Sequence, residues 1–244
     1  MTAITSVTLP QSKDQVLAAI HQAFVIPVVR VNDLEEALCA AEGMVHAGHP
    51  TLELTLTVPN AVATIQEMKR RYGAKLIVGA GTVLNTEDCE ASILAGAQFI
   101  VSPSTNVKVI EVARSRGIVS MPGALTPTEV LTAWEAGADV IKIFPADAVG
   151  GPRYLRSLLA PFPKMRYVPS GGVDMSNIGE YFSAGAHAVG IGGLIFERQA
   201  LTSRRADVIA ANIQRFTAAI RSRSELQPEY RSATTRPQKS IDPK

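Results

Sequence analysis

Four times along this chain an amphipathic run ends in a small-residue turn and passes at once into a short apolar segment. The turns are His46-Ala47-Gly48-His49, Leu94-Ala95-Gly96-Ala97, Glu135-Ala136-Gly137-Ala138 and Ser183-Ala184-Gly185-Ala186. Their glycines lie 48, 41 and 48 residues apart. Glycine just past the last periodic residue stops a helix, because it takes φ > 0 without a Cβ clash. The segments that follow, rich in Val and Ile, read as strands buried on both faces. A period of this length exceeds one strand plus one helix with short loops, so a second unit lies between each pair. Strands are thus predicted at 26–31, 51–57, 75–79, 98–102, 117–121, 139–144, 166–169 and 187–192. Helices follow at 34–47, 61–72, 88–94, 108–116, 128–135, 154–159, 178–184 and 205–221, with Asp33, Thr86, Thr126 and Asp174 as N-caps.

Eight strands, each followed by a helix, predict an α/β chain folded as a (β/α)8 TIM barrel. An open doubly wound sheet is the alternative, but it calls for a Gly-x-Gly-x-x-Gly turn near the first strand, and none is there. Residues 13–24 read as an extra helix plugging the bottom of the barrel. One domain is expected over 1–221, with 222–244 a flexible, disordered tail.

Charge narrows the function classes. The chain has 24 basic and 22 acidic residues. Residues 221–244 hold six of the basic ones against Glu225, Glu229 and Asp242, which leaves the body near neutral. A neutral body with one Trp and five Tyr argues against a nucleic-acid partner. No apolar run approaches the ~20 residues of a membrane span, and residues 1–15 lack a signal-peptide h-region. Cys39 and Cys89 fall in predicted helices, which argues against a disulfide framework. The four His show no metal-ligand spacing, so no metal and no cofactor are expected. The expected compartment is the cytoplasm.

Counting five residues from each turn glycine reaches Glu53, Val101, Lys142 and Gly190. In an eight-stranded barrel one interior layer takes four side chains from alternate strands. The count therefore predicts a layer of Glu, Val, Lys and Gly, with Glu53 and Lys142 facing each other across a space left by Gly190. Lys142 lies in the apolar run Asp139-Val140-Ile141-Lys142-Ile143-Phe144-Pro145. A lysine there is either half of a structural ion pair, a snorkelling side chain, or an amine nucleophile. Desolvated lysines yield the neutral amine that attacks a carbonyl to form a Schiff base. Glu53, in Thr51-Leu52-Glu53-Leu54-Thr55, is either a counter-ion or the general acid/base of that chemistry.

Two glycine-rich turns follow the last two strands, Pro169-Ser170-Gly171-Gly172-Val173 and Gly190-Ile191-Gly192-Gly193. Barrels often hold a phosphate at these loops, although tight turns use such glycines for themselves. Thr82, after the third strand, reads as a donor to a substrate oxygen or as a helix cap. Arg30, ending the first strand, reads as a carboxylate partner or as half of a rim salt bridge.

These motifs, with Val78-Gly79-Ala80-Gly81-Thr82-Val83, Ile100-Val101-Ser102-Pro103, Met121-Pro122-Gly123 and Ile141-Lys142-Ile143-Phe144-Pro145-Ala146, resemble those of the 2-keto-3-deoxy-6-phosphogluconate and 4-hydroxy-2-oxoglutarate aldolases. The resemblance covers roughly residues 13–215. It implies a homotrimeric barrel and a metal-free class I aldolase, with the Schiff-base lysine at Lys142 and the acid/base glutamate at Glu53. It also implies pyruvyl carboxylate contacts at Thr82 and Pro103, and a phosphate cradle at Gly171, Gly172, Gly192 and Gly193. Three positions depart from the pattern. Thr57 stands where some members carry a substrate-binding arginine, a loss Arg30 could offset. Leu194 follows Gly192-Gly193, where a serine is frequent in the loop. Ser170 replaces a frequent Thr and keeps the hydroxyl.

The expected reaction is a retro-aldol cleavage of a 3-deoxy-4-hydroxy-2-oxo acid, expected to be phosphorylated, to pyruvate and an aldehyde (glyceraldehyde 3-phosphate or glyoxylate). Two rivals remain at this point: a phosphosugar epimerase or isomerase barrel, and a non-catalytic phosphate- or carboxylate-binding barrel.

Overall fold

A computed structural model describes residues 12–73 and 75–222. The expected tail lies outside them, apart from Ser222. Among the described residues there are eight parallel strands: β1 (Val25–Val29), β2 (Thr51–Thr55), β3 (Ile77–Gly81), β4 (Phe99–Val101), β5 in two pieces (Val119–Met121 and Gly123–Ala124), β6 (Ile141–Ile143), β7 (Tyr167–Pro169) and β8 (Val189–Ile191). Ladders join β5, β4, β3, β2, β1 and β8 in one sheet, and the second piece of β5 joins β6 and β7 in another. Two features close the cylinder. Pro122 lacks an N–H and splits β5, yet its carbonyl still accepts from Lys142 N–H at 2.9 Å. On the other side, Ser170 bridges Gly190 in parallel. The barrel expected from the sequence is therefore the fold.

The helices are α1 (Lys13–Ala23), α2 (Leu34–Ala47), α3 (Ala61–Tyr72), α4 (Thr86–Leu94), α5 (Val107–Ser115), α6 (Pro127–Ala136), α7 (Pro152–Leu159), α8 (Ile178–Ser183), α9 (Arg198–Thr202) and α10 (Ala206–Arg221). Local chemistry starts and stops them. Ser12 and Gln15 form a capping box on α1, Thr126 and Glu129 one on α6, and Asp33 Oδ1 accepts from Glu36 N–H at 2.7 Å. All four turn glycines have positive φ: Gly48 at 66°, Gly96 at 104°, Gly137 at 106° and Gly185 at 99°. That is the conformation the recurrence implied.

Some boundaries moved. Asn85, not Thr86, caps α4, its Oδ1 accepting from Asp88 N–H at 2.8 Å. Asp174 does not cap α8; it folds a turn that accepts from the N–H groups of Ser176 and Asn177, and the helix starts after them. β3 starts two residues later than predicted, so Lys75 precedes the strand and Gly79-Ala80-Gly81 lies inside it. The five-residue α9 and a 3-10 turn at Asp147–Val149 carry too short a period to read from the sequence.

The core has two parts. Between sheet and helices lies the larger one, with Leu52, Leu54, Met44, Ile65 and Met68 fully buried. Inside the cylinder, Val16, Leu17 and Ile20 of α1 pack against Ile26, Ile77, Phe99, Val119, Val140 and Val168. Thus α1 does plug the bottom, latched by Lys13 Nζ to Asp139 Oδ1 at 2.9 Å. Among the described residues no helix is long and apolar enough to cross a membrane.

Near that end His49 is buried and donates Nε2–H to Val25 O at 3.0 Å. Burial pushes its pKa down to about 4 from 6.5, the carbonyl only partly opposing. The unfolded chain therefore binds a proton between these pH values that the folded chain refuses, and stability falls as pH drops through this window. For this one proton the slope is about 1.4 kcal/mol per pH unit. Denaturant titrations from pH 7 to 4 should give the His49→Gln variant, which keeps a donor for Val25 O, a slope shallower by about one proton. Parallel slopes would refute this role for His49.

Candidate active site

The register of the strands tests the interior layer directly. Glu53 pairs with Gly79, and Gly79 with Phe99, two residues before Val101. Val101 pairs with Met121, and Gly123, two residues on, pairs with Lys142. Lys142 pairs with Val168, and Ser170, two residues on, bridges Gly190. Gly190 pairs with Ile26, and Val28, two residues on, pairs with Glu53. Each alternate strand is thus offset by two residues, and the circuit returns to Glu53 after a stagger of eight, the shear of this barrel class. The four residues share one level of the interior.

Glu53 is 2% exposed and its Oε1 is buried without a hydrogen-bond partner. Burial raises its pKa above the ordinary 4.5, with Lys142 and then Arg30 pulling the other way. The carboxyl can sit there because β3 ends in glycine: a Cβ on Gly81 would lie 2.0 Å from Glu53 Oε1. Likewise Gly79 makes room for the Phe99 ring, which a Cβ would meet at 2.1 Å. The sequence motif Gly-Ala-Gly is therefore a packing requirement of the glutamate and of the floor beneath it.

Lys142 is 8% exposed, and its Nζ lies 5.0 Å from the centre of the Phe144 ring. Glu53 and Lys142 feel each other electrostatically, but no ion pair within 4.0 Å joins them among the described residues. The structural ion-pair reading of the sequence is not realised. A buried carboxyl with an unpaired oxygen and a buried amine on one level, kept apart, suit proton transfer and nucleophilic attack on a shared substrate.

The remaining candidates lie around the carboxyl ends of the strands. Thr82 follows β3 with φ 61°, a left-handed conformation that costs a threonine energy. It is not a helix cap, since Asn85 caps α4. Pro103 belongs to the loop after β4, whose carbonyl approaches β5 so closely that a Cβ on Gly123 would meet Pro103 O at 2.2 Å. Arg30 is exposed after β1 and forms no ion pair among the described residues, so the rim salt bridge is absent. Ser170 is buried, its hydroxyl donating to Gly190 O at 3.4 Å. Gly171 (φ 94°) and Gly172 (φ 67°) turn back over Asp147, and a Cβ on Gly172 would meet Asp147 Cβ at 2.4 Å. Gly192 and Gly193 open a turn in which Ile195 N–H donates to Gly192 O at 2.9 Å. Thr57 pairs its hydroxyl with that of Thr55 at 2.8 Å. Phe144, just past the end of β6 and two residues from Lys142, falls on the same side of the chain by the period of the strand, the one sequence signal for its place beside Nζ.

Residues 16–212 match the model of the family described as KDPG and KHG aldolase. The chain is 36% identical over 169 residues to a 2-dehydro-3-deoxy-phosphogluconate aldolase of Treponema pallidum (strain Nichols), covering 68% of this chain and 79% of that one. It is 34% identical over 196 residues to a 2-dehydro-3-deoxy-6-phosphogalactonate aldolase of Escherichia coli (strain K12), covering 80% and 95%. Its fold matches a KDPG aldolase from Legionella pneumophila, solved with pyruvate captured as a covalent carbinolamine intermediate. That match has a TM-score of 0.75, with 28% identity over 82% of this chain and 96% of the other.

The buried carboxyl sets a stability test. With its folded pKa raised, Glu53 favours the folded state while protonated, and its own contribution to stability declines as pH rises above 4.5, opposite in sign to that of His49. Glu53→Gln lacks that decline. Its stability relative to wild type should therefore grow between pH 4 and 8, reaching about 1–3 kcal/mol, the cost of one unpaired buried polar group. A pH-independent difference in urea midpoints would contradict the raised pKa.

Proposed function

The chain belongs to the KDPG and KHG aldolase family, and from that premise we propose that Lys142 and Glu53 carry out its Schiff-base lyase chemistry. The observation that carries the assignment is the shared interior level of a buried amine and a buried, partnerless carboxyl. The Lys142 amine attacks the 2-oxo carbon of a 3-deoxy-4-hydroxy-2-oxo acid, giving a carbinolamine that loses water to a protonated imine. Glu53, through a water, takes the proton of the 4-hydroxyl. The bond between carbons three and four then breaks, its electron pair moving into the imine to form an enamine, and an aldehyde leaves. Glu53 returns a proton to carbon three, and hydrolysis frees pyruvate and the amine. An epimerase reading needs only a proton carrier and leaves Lys142 without a task.

At the strand ends, Thr82 and Pro103 are placed to hold the pyruvyl carboxylate. The substrate's distal phosphate is received by the backbone of Gly171, Gly172, Gly192 and Gly193, with Ser170 beside them. Arg30, which forms no ion pair among the described residues, is a cation available to the aldehyde half in place of the arginine for which Thr57 stands. The substrate is thus a phosphorylated 2-oxo acid giving glyceraldehyde 3-phosphate, with 4-hydroxy-2-oxoglutarate, which gives glyoxylate, the unphosphorylated counterpart. A homotrimer is the assembly that the family resemblance implies, and apolar side chains left exposed on the surface, such as Leu84 at 54% and Leu131 at 40%, are available to its interface. The cytoplasm is the compartment we assign, consistent with the free buried Cys39 and Cys89.

Borohydride reduction in the presence of pyruvate, read by intact mass, should add one reduced pyruvyl group to wild type and none to Lys142→Ala. Retention of the adduct in that variant would falsify the nucleophile. Glu53→Gln should still be trapped while cleavage slows about 10²–10⁴-fold, the usual contribution of a general acid/base. The wild-type kcat/KM profile should show an acid limb centred above 4.5, which the Gln variant loses. Sedimentation should give a three-chain particle, and a monomer would overturn the trimer.

A further inference from the structure

We infer that Glu36 and Arg198 are positioning residues that clamp the turn after β8 to the loop after β1, and thereby set how tightly the distal anion of the substrate is held. The inference rests on the proposal that Gly192 and Gly193 receive that anion. Neither Glu36 nor Arg198 belongs to the barrel mouth itself. Glu36 lies in the first turn of α2 and Arg198 begins α9.

The geometry is that of a built junction. Glu36 is 3% exposed, and a carboxylate so withdrawn from water needs charged or hydrogen-bonded partners. One of its oxygens, Oε2, takes both of them: Asn32 N–H at 3.1 Å and Arg198 Nη1 at 2.9 Å. The Asn32 side-chain amide, oriented with its oxygen toward the guanidinium, accepts from Nη2 at 2.8 Å and Nη1 at 3.1 Å. Asn32 is two residues past Arg30. Hence one buried oxygen ties the end of β1's loop to the end of β8's loop, across 162 residues of sequence.

The other side of the same turn is fastened independently. Asn212 of α10, also buried, donates Nδ2–H to Ile195 O at 3.3 Å and to Glu197 Oε1 at 3.0 Å. Inside the turn, Ile195 and Phe196 N–H both donate to Gly192 O, at 2.9 and 3.2 Å. Glycines have no side chains with which to fix their own backbone, and α9, five residues long, is too short to fix it for them. Backbone amides select an anion only when held in place beforehand, because reorganising them on binding consumes the gain. The Glu36–Arg198–Asn32 junction is what holds them.

The test is steady-state cleavage of a phosphorylated 3-deoxy-4-hydroxy-2-oxo acid and of 4-hydroxy-2-oxoglutarate by the full chain and by Arg198→Met, Arg198→Lys and Glu36→Gln. Loss of the charge-assisted bond should raise KM for the phosphorylated substrate about tenfold or more. Its kcat, both constants for the unphosphorylated substrate, and pyruvate trapping at Lys142 should stay within about twofold. Arg198→Lys should recover part of the loss. Equal losses on both substrates, or no loss on either, overturn the clamp. Arg198 is 58% exposed, so its variants carry the test even where Glu36→Gln does not fold. Gly193→Ala separates the premise from the inference, because its Cβ meets no protein atom within 4 Å. If it leaves the phosphorylated KM unchanged, the anion is not held at this turn and the clamp falls with it. If it raises KM while Arg198→Met does not, only the clamp fails.

Discussion

Because the sheet closes with a stagger of eight residues, side chains that share a level of the interior come from alternate strands. This brings Glu53 of β2 and Lys142 of β6, 89 positions apart in the chain, to one height in a cylinder whose lower part is packed with apolar side chains. Any slip of one residue in one strand would turn a side chain of the layer outward, since successive residues point to opposite faces. The chemistry therefore depends on closure, to which the carbonyls of Ser120 and Pro122 contribute on one side, and the Ser170–Gly190 bridge and the His187 N–H to Tyr167 O bond on the other.

The site is held at an energetic cost. A carboxyl oxygen without a partner in a packed interior is unfavourable, and Glu53 responds by favouring its proton. Burial that penalises the charged carboxyl is what gives a general acid/base a usable proton at moderate pH. The plug helix α1 fills the lower end of the interior with Val16, Leu17 and Ile20. The same economy governs the glycines. Gly81 and Gly79 make room for Glu53 and Phe99, while Gly123 lets the loop after β4 approach β5.

Around the mouth, order comes from outside the mouth. The turn after β8 is fixed by α2 and α10 through Glu36, Arg198 and Asn212. The turn after β7 is packed onto Asp147. Thr82 is held with positive φ between Gly81 and Val83, whose N–H donates to Val101 O at 3.1 Å. The loops to which we assign binding are tied to the elements behind them, which supply contacts and hydrogen bonds that their small residues cannot.

The amino-acid sequence determined the repeat, the eight strands, the left-handed glycines and the interior layer, because each follows from a short-range rule. Helix stops need a Cβ-free residue, strands alternate with period two, and a fixed count from each stop reaches the same height. It also determined that a lysine and a glutamate stand in apolar strands where their charge needs a reason. Only the tertiary structure decided that the two do not form an ion pair, that no described residue forms an ion pair with Arg30, and that Asn85 rather than Thr86 caps α4. Those outcomes turn on distances of a few ångströms between groups brought together from distant positions. The same holds for Glu36 and Arg198: neither has a local signature, and their pairing exists only because closure of the barrel sets β8 beside β1.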